Sequence, residues 1–276
     1  MKSAVFIDAS NLMHRALRIP FAWNSVKNDP NSNAAVYLFV NIFHKLYKDN
    51  EGRDLFFVLD GSPIQKKSEY SQYKGNRQKL DNIYYQQMNK MKSILTNFPI
   101  KTAYCKDREA DDIIYYLCKN LNSKYHEIFI ISNDKDFIQL KQQFNNIKIY
   151  DPINNCFREL PDKLTGKFTD YKALTGDPSD NIIKILSESK AFKAANGIDK
   201  WKSLASDAQL KQYIQNITLI DFTLLDFSGL EIENTEYTFN KENIKTLFEE
   251  YKFNSILKKF NEWSHVFEPS IFNSLF

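Results

Sequence analysis

Short apolar runs punctuate the first 150 residues. Residues 4–7, 55–59 and 128–131 are continuously apolar, and each run is closed by a polar stretch that carries an aspartate: Asp8, Asp60-Gly61 and Ser132-Asn133-Asp134. Residues 147–150 (IKIY) are a shorter fourth strand candidate. Between these runs, apolar residues recur at helical spacing over 36–47, 84–95 and 110–121. Uninterrupted apolar strands alternating with amphipathic helices predict an α/β fold, with a mostly parallel central sheet flanked by helices. After Pro161 the spacing becomes helical throughout, over 162–174, 181–186, 201–205, 207–221 and 243–260. A boundary near 160–165 therefore separates a first domain, 1–165, from a smaller all-helical C-terminal domain, 166–276. Residues 24–33 and 145–155 are polar and predicted as loops, the second around the short fourth strand.

The predicted strands place acids together. In an open parallel sheet, ligands bind beyond the carboxyl ends of the strands, so Asp8, Asp60 and Asp134 are expected to share one crevice. Asp136 lies two residues past Asp134, on the same side of extended backbone. Glu109, Asp111 and Asp112 open the helix 110–121, where acids favour the positive end of the dipole and positions three apart share a face. A single strand-end Asp is usually a turn or a cap, and Glu-Ala-Asp-Asp alone is usually a helix start. Several together repel one another unless cations neutralise them. A site of oxygens alone suits Mg²⁺ or Mn²⁺, and His14, His44, His126 and His265 are too scattered to form a metal pattern. Two such ions roughly 4 Å apart stabilise the attacking and leaving oxygens of a phosphoryl displacement, which points to phosphodiester hydrolysis.

Six stretches in order, 6–16 (FIDASNLMHRA), 58–61 (VLDG), 73–77 (YKGNR), 109–112 (EADD), 132–140 (SNDKDFIQL) and 174–181 (LTGDPSDN), resemble the flap endonuclease and 5′-3′ exonuclease family. The resemblance covers about residues 4–185 and is greatest to the stand-alone ribonuclease H-type members of T-even bacteriophages. It implies a PIN-like nuclease core with a helical arch over about 61–100, and a C-terminal domain that binds DNA. It implies two Mg²⁺ ions, replaceable by Mn²⁺, held by Asp8, Asp60, Glu109, Asp111, Asp112, Asp134, Asp136, Asp177 and Asp180, some through water. Lys74 and Arg77 match the basic residues that reach the scissile phosphate. Lys66, Lys67, Tyr70, Tyr73 and Lys79 interleave cations with aromatics as a single strand requires, and Lys184, Lys190 and Lys193 are candidate duplex contacts. One departure stands out. The family's glycine-rich hairpin after Asp-Asn is replaced by 181–189 (NIIKILSES), without glycine, which argues against the potassium ion often held there.

The implied activity is removal of RNA primers and 5′ flaps, with flapped DNA and RNA–DNA hybrids as partners. The alternatives are a PIN-type single-strand ribonuclease, argued against by the arch and the helical second half, and a non-catalytic scaffold, argued against by the full set of acids. Charge agrees with the lead reading. The chain is +3 overall, but setting the nine acids aside leaves 25 acids against 37 bases, an acidic pit in a basic surface. Apolar residues at 43% and charged residues at 26% exclude wholesale disorder. Cys105, Cys118 and Cys156 lack metal-ligand spacing, and no signal-like stretch precedes Asp8, so a cytoplasmic monomer is expected, in a host cell if phage-encoded. The last residues, 270–276 (SIFNSLF), are similar to peptides that bind sliding clamps, although capping of the helical core explains them more simply. Single-strand DNA-binding protein is the other candidate protein partner.

Overall fold

The computed structural model describes residues 2–76, 82–198 and 200–268. The first half runs β1 (Ser3–Asp8), α1 (Ala9–Arg18), α2 (Pro20–Asn28), α3 (Ala34–Asp49), β2 (Asp54–Leu59), α4 (Ile64–Glu69), α5 (Asn82–Leu95), β3 (Lys101–Tyr104), α6 (Ala110–Leu121), β4 (Glu127–Ile131), β5 (Ile147–Asp151) and β6 (Cys156–Arg158). The second half runs α7 (Phe168–Thr175), α8 (Glu188–Ala195), α9 (Trp201–Leu204), α10 (Asp207–Ile220), β7 (Glu233–Glu236), α11 (Lys241–Glu250), α12 (Asn254–Leu257) and α13 (Phe260–Ser264).

All seven strands join one sheet in the order β6-β5-β4-β1-β2-β3-β7. The five inner strands are parallel, and β6 and β7 close the edges antiparallel. Both faces are covered, which explains why β1 and β2 read as unbroken apolar runs. Their side chains alternate between two cores. Val5, Ile7, Leu55 and Phe57 face one with α1, α3 and α5, while Ala4, Phe6, Phe56 and Val58 face the other with α6. The chain adds strands outward from β1 to β3, then crosses back and adds β4 to β6 on the far side of β1. This reversal between β1 and β4 opens a crevice at the carboxyl ends of the strands.

Several expectations need correction. Residues 24–28 belong to α2, because Pro20 starts the helix and Ala22 and Val26, four apart, bury its inner face. No helix forms over 181–186. Asn181 turns left-handed at φ 60° and Ile182 folds back to pair with Asp177. The helix expected at 162 begins at Phe168, and the stretch 243–260 breaks near Lys252, at φ 59°. The second half is also not wholly helical or wholly separate. Helices α7 to α10 carry two small apolar clusters, one shared with Tyr73 of the first half around Ala173 and Ile220 and one around Leu174, Ala191 and Trp201. Residues 233–268 instead return to the sheet: β7 pairs with β3, and Ile244, Phe248, Phe260 and Phe267 join the first core. Among the described residues no helix is long and apolar enough to cross a membrane.

Candidate active site

Asp8 ends β1 and caps α1, its Oδ1 accepting the Asn11 N–H at 2.8 Å. Asp60 follows β2, and its Oδ1 accepts the Ala110 N–H at 2.7 Å, tying the exit of β2 to the start of α6. The exits meet closely: a Cβ on Gly61 would lie 2.0 Å from the Cys105 carbonyl oxygen, so only glycine fits. Glu109 occupies the N-cap of α6, with Asp111 and Asp112 in its first turn. The three carboxylates offer oxygens within 4.8 Å of one another. Beyond β4, Asp134 Oδ1 accepts the Asp136 N–H at 2.8 Å, and the Asn11 amide donates to Asn133, joining the exits of β1 and β4.

Asp177 and Asp180 reach the same crevice through a tight turn. Gly176, at φ 71°, begins it, and Asp177 and Ile182 exchange backbone hydrogen bonds at 3.0 and 2.8 Å. The turn carries Asp180 to within 3.3 Å of the Tyr73 hydroxyl and 3.8 Å of the Lys74 ammonium. Lys74 adopts φ 55°, donates its own N–H to the Asp180 carbonyl at 3.1 Å, and pairs through its ammonium with Glu109. Tyr73 Oη also lies 3.0 Å from Glu109 Oε2. The nine acids thus arrive from five chain segments into one connected cluster.

Its electrostatics are uneven. Burial would raise the Glu109 carboxyl, but the ammoniums of Lys66 and Lys74 outweigh it and hold the group down at about 2. Burial, then the charges of Asp60 and Asp134, pushes Asp8 well above the usual carboxylate range. Burial likewise raises Asp111 and Asp112. Asp136 is pushed up to about 6 by burial and by Asp134, against the opposing pull of Lys172. Burial would raise Asp177 as well, but the Lys172 ammonium, together with hydrogen bonds from the Ser179 hydroxyl and N–H, outweighs it and holds that carboxyl down.

Three lysines share the crevice, and two stand where sequence reasoning did not place them. Lys66 and Tyr73, expected on an exposed strand-binding face, are 3% and 2% exposed. Lys66 lies 2.7 Å from Asp112, 3.1 Å from Glu109 and 3.5 Å from Asp111, so it is an internal counter-charge; Tyr73 is an internal donor with no free ring face. Lys172 was missed. It bridges Asp136 and Asp177 at 2.8 and 2.9 Å, and the available signal was its place on the buried stripe of α7 with Phe168, Thr169 and Ala173. Lys67, Lys184, Lys190 and Lys193 are exposed, and Tyr70 is half-buried. Arg77, Lys79 and the tail 270–276 lie outside the described residues.

The donor set fits a hard divalent cation. It consists of carboxylate oxygens alone, and two of them, the buried Asp112 Oδ1 and Asp136 Oδ1, meet the ammoniums of Lys66 and Lys172 at 2.7 and 2.8 Å, positive charge standing where a cation would bind.

A family model described as the 5′-3′ exonuclease, N-terminal resolvase-like domain, matches residues 3–173. The 5′-3′ exonuclease of Buchnera aphidicola subsp. Schizaphis graminum is 32% identical over 190 residues, covering 66% of this chain and 64% of that protein. DNA polymerase I of Bacillus subtilis (strain 168) is 26% identical over 296 residues, covering 95% of this chain and 32% of the polymerase. The chain therefore spans about a third of the polymerase and less than two thirds of the exonuclease. Among solved structures, the T5 D15 protein co-crystallised with metal ions superposes with a TM-score of 0.61 at 19% identity, over 80% of this chain and 90% of that one. The catalytic core of Rad2 in complex with DNA substrate gives 0.62 at 14% identity, over 98% and 92%. At those identities the likeness establishes the fold. With the family model spanning more than half of its length, and all nine acids but Asp177 and Asp180 inside the matched region, the chain belongs to the 5′-3′ exonuclease family.

Proposed function

We propose that this chain is a divalent-metal-dependent, structure-specific 5′ nuclease that hydrolyses phosphodiester bonds to remove RNA primers and 5′ flaps. The observation that carries the reading is the meeting of nine carboxylates from five segments at the carboxyl edge of the sheet, beside the basic Lys74 turn. Asp8, Asp60, Glu109, Asp111, Asp112, Asp134, Asp136, Asp177 and Asp180 are the residues that would hold Mg²⁺, directly or through water, with Mn²⁺ as a substitute. Bound cations supply positive charge against the negative charge that develops on a phosphodiester during displacement.

The chain's own residues do the rest. The first-turn position of Asp111 and Asp112 on α6 and the cap on Asp8 fix the carboxylates before any ligand arrives, so little reorganisation is needed on binding. Lys74, fixed through its own backbone bond to Asp180, presents a cation to the phosphoryl oxygens. The exposed Lys184, Lys190 and Lys193, which lie at and after the 176–182 turn, suit duplex phosphates.

The test is incubation with Mg²⁺ and three labelled substrates: a 5′-flap duplex, an RNA-primed duplex and single-stranded RNA. Cuts near the flap junction or stepwise loss of the primer are expected. Cleavage of the single strand alone, or binding without cleavage, would overturn the reading.

A further inference from the structure

Lys66 is buried in the acid cluster rather than placed above it. Its ammonium lies 2.7 Å from Asp112 Oδ1, 3.1 Å from Glu109 Oε2 and 3.5 Å from Asp111 Oδ2, the same three carboxylates whose oxygens gather within 4.8 Å of one another. The rings of Tyr73 and Phe222, with centroids 5.7 and 5.8 Å from the ammonium, close its apolar side. A divalent ion held by these oxygens would occupy the space the ammonium already fills. Two cations cannot share it without strong repulsion. The other corner of the crevice differs: among the described residues, no lysine or arginine forms an ion pair with Asp8, Asp60 or Asp134.

We infer that Lys66 is a resident counter-cation of the Glu109–Asp111–Asp112 corner, which a divalent ion must displace, so that this corner loads metal more weakly than the Asp8–Asp60–Asp134 corner. Lys66 is thus a positioning residue. In the metal-free protein it holds three acids together, and its displacement sets the metal concentration at which the site becomes complete. This rests on the metal-nuclease reading above.

The test is a Mn²⁺ titration of the intact protein, without substrate, by calorimetry or by electron paramagnetic resonance of free Mn²⁺. Wild type is expected to bind in two steps of different affinity. In Lys66→Met the weaker step should tighten by about tenfold or more, with the stronger step changed less. Lys66→Arg, which keeps the charge, should retain the weak step. Metal-free Lys66→Met should also melt below wild type and gain more in Tm from Mn²⁺. A second measurement needs no variant. Lysine acetylation followed by mass spectrometry should find Lys66 protected without metal and labelled at saturating Mn²⁺. Two-site binding with Lys66 still protected, or unchanged affinities in Lys66→Met, would overturn the inference while leaving the nuclease reading intact. Failure of wild type to bind Mn²⁺ would overturn both.

Discussion

Glu109 and Asp8 are carboxylates of one crevice, yet their surroundings drive them apart. Glu109 has two ammoniums for company and is held at about 2, whereas Asp8 is pushed upward by burial and by Asp60 and Asp134. A buried charge without a partner is costly, so Asp8 is kept at the expense of stability. Asp8→Asn retains an oxygen to cap the Asn11 N–H and removes one repelling charge. Without metal its Tm should match or exceed that of wild type, while cleavage of a flap duplex falls at least about 10²-fold and binding persists. A clear drop in metal-free Tm would show that the charge is compensated in some other way. Lys74 has the opposite character. Its ammonium rests on Glu109 and Asp180, and its proposed task is to meet charge that grows during the reaction. Lys74→Ala should therefore lower kcat by about 10²-fold, a loss typical of a single electrostatic donor, with a much smaller change in KM. An equal loss carried by KM would assign Lys74 to ground-state binding instead.

The turn 176–182 shows how much rests on local backbone. Gly176 sits at φ 71°, where an added Cβ would come within 2.6 Å of the Lys184 nitrogen. Gly176→Ala is expected to cost about 2 kcal/mol, measured as a lower urea midpoint, with faster amide exchange over 177–182. An unchanged midpoint would mean that the turn contributes little to stability. The same turn marks the limit of sequence reading. Residues 181–186 have apolar spacing suited to a helix, but Asn181 spends its conformation on a left-handed residue that closes the turn, and local turn chemistry overrides spacing. Strands β1, β2 and β4 were legible because burial on both faces leaves unbroken apolar runs, and β5 because Ile147 and Ile149 alternate with the exposed Lys148. Strand β7, Glu-Asn-Thr-Glu, is wholly exposed at an edge and carries no apolar signal. Strand β3 is four residues long with only its middle pair buried. The acids were legible because they follow legible strands. Lys66 and Lys172 were not, because a lysine on a short amphipathic helix reads as solvated until its neighbours in space are known.

The return of the C-terminal segment closes the first core, and a histidine sits on that seam. His44 of α3 donates its Nε2–H to the Trp263 carbonyl oxygen at 2.9 Å, and its ring stacks on the Trp263 ring at 4.8 Å. Since a carbonyl oxygen only accepts, Nε2 carries the proton in the neutral ring. Burial lowers the His44 pKa, Lys48 lowers it further, and the bond to Trp263 opposes both without cancelling them. The unfolded chain then binds more protons than the folded one as pH falls below about 6.5, so this residue's stability contribution is present near pH 7.5 and shrinks toward the lower folded pKa. Asp136 acts with the reverse sign: its folded pKa of about 6 lies above the unfolded value, so its contribution is present at low pH and is lost as pH rises through 6. Wild type alone therefore shows the sum of opposing slopes. Comparison with His44→Gln, in which the Asp136 contribution is common to both proteins, isolates the histidine. Between pH 7.5 and 5.5, with chelator present, the urea midpoint of wild type should fall relative to that of His44→Gln, so that the two curves converge. Parallel curves would mean that the seam between α3 and α13 opens no further when His44 is charged, and that the contact is packing without a proton-linked component.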